Sequence, residues 1–410
     1  MEVTLRAALA LALFLAVSAH AQDVQPRPER LYVDPGILLG SPRVIALGGA
    51  YAGIAEGPGG LPSNLAAIAH KSPRLDRNWD VGLGLSWLDV PLGSPRKRDL
   101  DNDGRQDAAQ DSRQFLVGMQ LQYKRFGIGA YFRSGLQRYC GTFDCDPDRT
   151  LTVSVSHTAL AAALSLGDDE FLIAFGLYAA NAYLATPHDE WTYGNTGTSF
   201  DFLYRPRHRN YRIGASVKPQ VEGPWRQKPG QPAQIDGRQI FGSVVSPASL
   251  SIGASWRLGE GARNYNQLSP AGYDAAVAGL ESGELPPDKP DPNAPSGSLL
   301  ISAQVDLIGP VDNAVNLLSF VNGEQPQTVG NTAYVVPRVG AEHETIEGRL
   351  RTRLGSYIEP SYFADSTPRP HLTGGAEVFV LHYLDDWAVS ASFDVAPRYY
   401  NVGLSIGFWK

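Results

Sequence analysis

Cysteine, methionine, charge and long apolar runs are all scarce in this chain of 410 residues. Two cysteines cannot build a disulfide-framed scaffold. Charged residues make up only 19% of the sequence, and Asp+Glu (42) outnumber Lys+Arg (35) for a net charge of -7. A general nucleic-acid binder needs a basic face to neutralise phosphates, so that class is excluded. Past the N-terminal stretch no apolar run reaches the ~18 residues of a spanning helix. The strongest runs, around Ala159 to Leu166 and Phe171 to Ala180, are broken by Asp168-Asp169-Glu170. What is plentiful is glycine, 43 residues, accompanied by 30 prolines. That is roughly one residue in ten against an average of ~7%.

Residues 1–21 combine Arg6, an apolar stretch from Ala7 to Val17 and the small-residue triplet Ala19-His20-Ala21. This is the pattern of a secretory signal peptide. In an oxidising compartment the simplest fate of Cys140 and Cys145, in Cys140-Gly-Thr-Phe-Asp-Cys145, is a disulfide with each other. A two-ligand metal fragment is the alternative, but structural zinc needs four ligands and no second Cys or His pair lies at useful spacing.

The mature chain repeats one pattern, apolar residues at alternate positions with small or polar residues between. Trp79, Val81, Leu83, Leu85 and Trp87 form one stripe; Phe115, Val117, Met119, Leu121 and Tyr123 form the next. Leu299, Ile301, Ala303 and Val305 repeat it, and Tyr400, Val402, Leu404, Ile406 and Phe408 complete the series. A soluble sandwich alternates too. Three details favour lipid: strands of about ten residues, aromatics bracketing the stripes, and an opposite face of Gly, Ser, Gln, Asn, Asp and Arg suited to a wet lumen. The glycine excess falls on that inward face, where strands are expected to bend tightly. About thirteen segments are legible, so a transmembrane antiparallel β-barrel of 12 or 14 strands, approximately 14, is expected. Backbone groups in hydrocarbon must pair, so the sheet must close.

Long connections are expected at Ser94 to Gln114, Pro187 to Arg209 and Pro219 to Ser246. A short helix is expected after Ser269, with Pro270 at its first position and Ala271 to Leu280 as its body. Val311, Val315, Leu318 and Val321 mark a second.

Gly40-Ser-Pro-Arg-Val-Ile-Ala-Leu-Gly-Gly-Ala-Tyr-Ala-Gly-Ile-Ala-Glu56, followed by Ser63-Asn-Leu-Ala-Ala-Ile-Ala69, resembles the N-terminal signature of the FadL/TodX-like outer-membrane transporters of hydrophobic compounds. Leu65 stands where that family has proline. Arg212 to Lys218, Val245 to Arg257, Val339 to His343 and Arg351 to Ser361 resemble its later strands. The resemblance implies a Gram-negative outer-membrane location and a 14-stranded barrel blocked by an N-terminal hatch. It implies passive uptake of hydrophobic compounds such as long-chain fatty acids, and no enzymatic activity. Residues 1–21 would be the signal peptide, 22–76 the hatch and 77–410 the barrel, with Gly48, Gly49, Ala50 and Asn64 shaping the hatch and ligand path. Alternatively the glycines only shape the first strand and its turn. Implied partners are outer-membrane lipid, a hydrophobic small-molecule ligand and the outer-membrane assembly machinery. PorV-like barrels of secretion and surface attachment look similar at the N-terminus and supply the alternative function.

Asp99, Asp101, Asp103 and Asp107 place oxygen ligands at positions 1, 3, 5 and 9 around Gly104. Alternating carboxylates around a turn glycine can converge on one hard cation, so calcium is a possible cofactor; a solvated acidic loop is the alternative. Position 12 holds Gln110 rather than Glu. Gly403-Leu-Ser405-Ile-Gly407 fits a nucleophile elbow in letters only, because that elbow needs a strand-to-helix turn and this stretch is an alternating strand. His157, His188, His343 and His371 have no metal spacing and are expected in lumen or loops.

Overall fold

The computed structural model describes residues 29–409 except 35, 72–77, 90–97, 108, 141–149, 168, 227–233, 236–237, 260–261, 263–264, 269, 279–298, 322–326, 364–365 and 384. The expected signal peptide and Cys145 lie outside the described residues, so the disulfide does too; Cys140 is the last residue of its strand.

The alternating stretches become β1 (Trp79–Leu88), β2 (Ala109–Tyr123), β3 (Phe126–Cys140), β4 (Thr150–Leu166), β5 (Phe171–Ala185), β6 (Glu190–Tyr204) and β7 (Tyr211–Lys218). They continue as β8 (Ser249–Leu258), β9 (Leu299–Ile308), β10 (Tyr334–Ile346), β11 (Leu350–Glu359), β12 (Arg369–Tyr383), β13 (Asp385–Ala396) and β14 (Tyr399–Phe408). Each pairs antiparallel with its neighbours, and β14 closes onto β1 from Leu83↔Phe408 to Leu88↔Gly403. Fourteen strands is the upper of the two even numbers expected. On β9, Leu299, Ile301, Val305 and Leu307 are exposed on the outside while Leu300, Ser302, Gln304 and Asp306 are buried inside. The same apolar band continues through Leu121, Leu160, Phe175, Leu354 and Leu404, an expanse suited to lipid rather than water.

Three expected connections or helices are corrected. Ser94 to Gln114 ends in strand, since β2 begins at Ala109. Pro187 to Arg209 is not a loop, because its centre is β6, paired with β5 from Phe171↔Tyr204 to Ala185↔Glu190. Its upper outward positions, Thr192, Thr196 and Thr198, are polar, and the large Trp191 and Tyr193 point inward, so no lipid-facing stripe marks it. Val311 to Val321 is helical only over Leu317–Val321; Ala314–Asn316 is a strand, with Val315 buried in a sheet. The other short helix, Pro270–Ala278, starts at the expected proline.

The chain enters β1 and leaves β14 at one rim, where five of the six strand connections are six residues or fewer. The opposite rim carries the long segments 89–108, 219–248 and 309–333. Short turns on the periplasmic side and long loops outside are the habit of outer-membrane barrels, so the long-loop rim faces outward. There a five-stranded sheet forms in the order Thr328–Val329, Ala314–Asn316, Arg30–Tyr32, Ser243–Ser246, Val221–Pro224. Its middle strand, Arg30–Tyr32, pairs parallel on both sides. From it the described residues run through the lumen to Lys71, buried against the inner wall.

Candidate functional site: the hatch and the cavities around it

Local chemistry gives the hatch its turns. Ser41 Oγ accepts from Val44 N (3.4 Å) and caps the short helix Pro42–Ala46. The helix ends in two left-handed residues, Gly48 (φ +61) and Gly49 (φ +77), a conformation that glycine adopts without steric cost. Gly48 N donates to Thr373 Oγ1 on β12 (3.1 Å). Asn64 Oδ1 accepts from Ala66 N (2.9 Å), and its Nδ2 donates to Ala52 O (2.9 Å) and to Phe202 O on β6 (3.0 Å). Ala50 is buried. Gly48 and Asn64 therefore tie this segment to the wall, and Gly49 lines a cavity.

The wall glycines lie where the inner segment comes closest. They let backbone meet backbone: a Cβ on Gly214 of β7 would overlap Ala52 O, and one on Gly118 of β2 would overlap Pro58 O. A Cβ on Gly340 of β10 would lie 2.5 Å from Leu47 O.

Charge completes the attachment. The Arg43 guanidinium forks onto Glu342 of β10 (Nε–Oε2 2.9 Å, Nη2–Oε1 3.0 Å) and also reaches Glu56 (3.0 Å) and Tyr51 OH (3.0 Å). Glu56 in turn meets Arg212 of β7 at 2.6 Å. Arg212 also donates to Ile54 O (3.1 Å), to Asn266 Oδ1 (2.9 Å) and to Tyr265 O (2.5 Å), and its guanidinium lies 3.7 Å from the Tyr265 ring centre. Arg353 of β11 extends the network to Glu342 (2.5 Å) and Glu377 (2.9 Å). Burial by itself raises the Glu56 carboxyl, but Arg212 and Arg43 outweigh it and hold the group well below the usual carboxylate range.

Two cavities lie above the hatch. One, of about 60 Å³, is lined mainly by Ile37, Leu39, Val153, Val155, Leu317 and Leu318. The other, of about 180 Å³, shares Ile37, Leu39, Asp34, Arg133 and His157 with it and adds Tyr178 and Lys218. Arg133 stands at the junction. Its Nη1 donates to Leu39 O (3.2 Å) and its Nη2 lies 3.0 Å from His157 Nδ1, while its Nε is buried with no hydrogen-bond partner. Lys218 Nζ donates to Pro62 O (2.6 Å). A third cavity, of about 120 Å³, lies on the periplasmic side of the hatch between Arg43, Glu56, Phe408 and Trp409. The arrangement is an apolar slot ending at cations, separated from a lower chamber by the hatch.

The acidic loop 98–107 sits on the outer rim. Asp99, Asp101 and Asp107 bring one oxygen each within 4.8 Å of the others, whereas Asp103 turns away and accepts from Arg105 N (2.7 Å). Asp99 and Asp101 are each 2% exposed, whereas Gly104, Arg105 and Gln106 are exposed. Ser405 lies mid-strand in β14, opposite Ser86 and Ser390. His157 and His371 face the lumen, the latter between Glu359 (2.9 Å) and Asp394 (2.7 Å); His188 and His343 are exposed. Sequence reasoning missed Arg43, Glu56, Arg133, Arg212, Lys218 and Glu342. The available signal was a charged residue at an inward position of an alternating strand, as at Arg212 and Glu342.

No protein-family model matches the chain, and no curated protein sequence matches it either. Solved structures do. A FadL homologue of Pseudomonas aeruginosa is similar over 91% of this chain and 98% of its own, at 10% identity and a TM-score of 0.54. The toluene transporter TbuX of Ralstonia pickettii covers 90% and 97% at 15% identity and TM-score 0.51. The toluene transporter TodX of Pseudomonas putida covers 94% and 99% at 12% identity and TM-score 0.50. The secretion and surface-attachment alternative gains no support from these likenesses. The chain has the fold of the FadL- and TodX-type outer-membrane transporters of hydrophobic compounds.

Proposed function

We propose that this protein is a passive outer-membrane entry route for hydrophobic compounds, and that its preferred substrates are long-chain fatty acids. The observation carrying the reading is the pair of adjoining cavities above the hatch. Val153, Val155, Leu317 and Leu318 give the smaller one an apolar side, Arg133 lines both, and Lys218 stands in the larger. An alkyl tail gains by leaving water for the slot formed by Val153, Val155, Leu317 and Leu318. A carboxylate gains a charge-assisted hydrogen bond from Arg133, whose Nε has no partner of its own. Asp34 lines both cavities, and burial raises its carboxyl above the ordinary value, which reduces its repulsion of an incoming acid.

The purified barrel in detergent tests this with a fluorescent long-chain fatty acid and with toluene. Arg133→Leu is expected to weaken fatty-acid binding about tenfold, the scale of one lost charge-assisted bond, and to leave toluene binding unchanged. Equal fatty-acid affinity in both proteins would overturn the acid preference. Binding of neither compound would overturn hydrophobic transport itself.

A further inference from the structure

We propose that the outer-rim loop Asp99–Asp107 is a binding site for one calcium ion, which ties this loop to the barrel mouth. Three observations converge. One oxygen from each of Asp99, Asp101 and Asp107 lies within 4.8 Å of the others, close enough to share a single ion. These carboxylates are withdrawn from solvent, with Asp99 and Asp101 2% exposed and Asp107 9%. Crowding like charges in a site of low dielectric is unfavourable unless a counter-charge enters.

The third observation is independent of the cluster. Gln114, on the neighbouring β2 and 7% exposed, has an Oε1 with no hydrogen-bond partner, and it lines the same cavity as Asp101. Asp99 Oδ1 is likewise enclosed and without a hydrogen-bond partner. Both atoms are pure acceptors, and a buried acceptor left unmatched costs ~1–3 kcal/mol. A hard cation matches them.

Among the described residues, Arg98 and Arg369 are bound chiefly by other carboxylates. Arg98 is held bidentate by Asp89 (2.6 and 2.7 Å). Arg369 comes to 3.7 Å of Asp99 Oδ2, but its Nε and Nη2 are each 2.7 Å from Glu359 Oε2. The loop is meanwhile pre-shaped. Asp99 Oδ2 accepts from Gly104 N (3.1 Å), Asp107 Oδ2 accepts from Leu100 N (2.6 Å), and Gly104 takes the left-handed turn (φ +87). Arg369 donates to Asp99 O (2.8 Å), Asn102 donates to Thr367 O (3.0 Å) and Arg398 donates to Gly104 O, so the loop is docked on the barrel.

Calcium fits better than magnesium, because it accepts irregular sets of 6–8 oxygens whereas magnesium demands a near-ideal octahedron. The loop has no glutamate at position 12, which places the affinity with the weak extracellular class, ~10⁻⁴–10⁻³ M. That suits a rim facing the medium. The site opens onto the smaller cavity of the transport reading, since Asp101 and Gln114 line it too, but the calcium test reads loop attachment and not substrate binding.

Calorimetric titration of the folded full-length protein in detergent, after chelation, tests it. One saturable calcium site is expected, at least tenfold weakened in Asp101→Asn and changed less than twofold in Asp103→Asn, whose carboxylate lies outside the cluster. A parallel melting series guards against misfolding of the variant. In chelator Asp101→Asn should melt above the unsubstituted protein, because one repelling charge is gone, and in excess calcium the order should reverse. No saturable binding by folded protein up to about 10 mM calcium, tenfold above that weak class, would overturn the proposal. So would Asp101→Asn binding as tightly as the parent, or an order of melting that calcium leaves unchanged.

Discussion

On β9 the outward side chains Leu299, Ile301, Val305 and Leu307 meet lipid, and the inward Gln304 and Asp306 meet protein. Gln304 Oε1 accepts from two hatch amides, Tyr51 N (2.9 Å) and Ala52 N (2.7 Å), and Asp306 takes Arg338 Nε at 2.5 Å. The two faces of one strand thus follow different rules. Outside, contacts are non-directional and many residues of similar size serve equally well. Inside, backbone-to-backbone approach and buried ion pairs tolerate almost no change of shape or charge. The lesson is that this barrel's sequence is permissive toward its solvent and specific toward its own plug.

If that contrast is right, the largest effect belongs to Arg212→Leu. It leaves Glu56 buried with one partner fewer, and breaking a buried pair costs ~3–5 kcal/mol. Urea unfolding in detergent measures it, and a loss below ~1 kcal/mol would mean that the pair is not a clamp. The same clamp should respond to acid. Glu56 is depressed in the folded protein, so its contribution is fully present above the unfolded carboxyl value of ~4.3 and fades as pH falls through the lower folded value. Protease sensitivity of the hatch should therefore be flat from neutral to about pH 5 and rise below about pH 4.

Gly214→Val comes next. Its added side chain would strike Ala52 O, and overpacking of this kind costs ~1–3 kcal/mol, whereas Ala303→Val on the outward face of β9 should be near neutral. Equal effects from the two would break the comparison. Between these lies Leu354→Val on the lipid face of β11, where one methylene is worth ~0.8 kcal/mol.

The outer face was legible because a lipid-facing strand must show period two, and the stripes of β1, β9 and β14 do so without interruption. β6 was not, since its upper half faces outward with Thr192, Thr196 and Thr198 and turns Trp191 inward. The hatch motif was legible through Gly48, Gly49 and Asn64. Its clamp was not, because Arg43 and Glu342 are 299 positions apart in sequence, and no local pattern joins them. Inward glycines were visible but the close approaches they permit were not, since their neighbours, Ala52 and Pro58, belong to another part of the chain. In the acidic loop the spacing foretold the cluster of Asp99, Asp101 and Asp107. It could not show that Asp103 would turn to the Arg105 amide instead.

The most direct test of the transport account is uptake of a radiolabelled long-chain fatty acid by Gram-negative cells that lack their own fatty-acid channel, with and without this protein in the outer membrane. The account predicts saturable uptake that depends on the protein and is reduced by Arg133→Leu. Uptake equal to that of cells without the protein, with the folded barrel verified in the membrane, would contradict it.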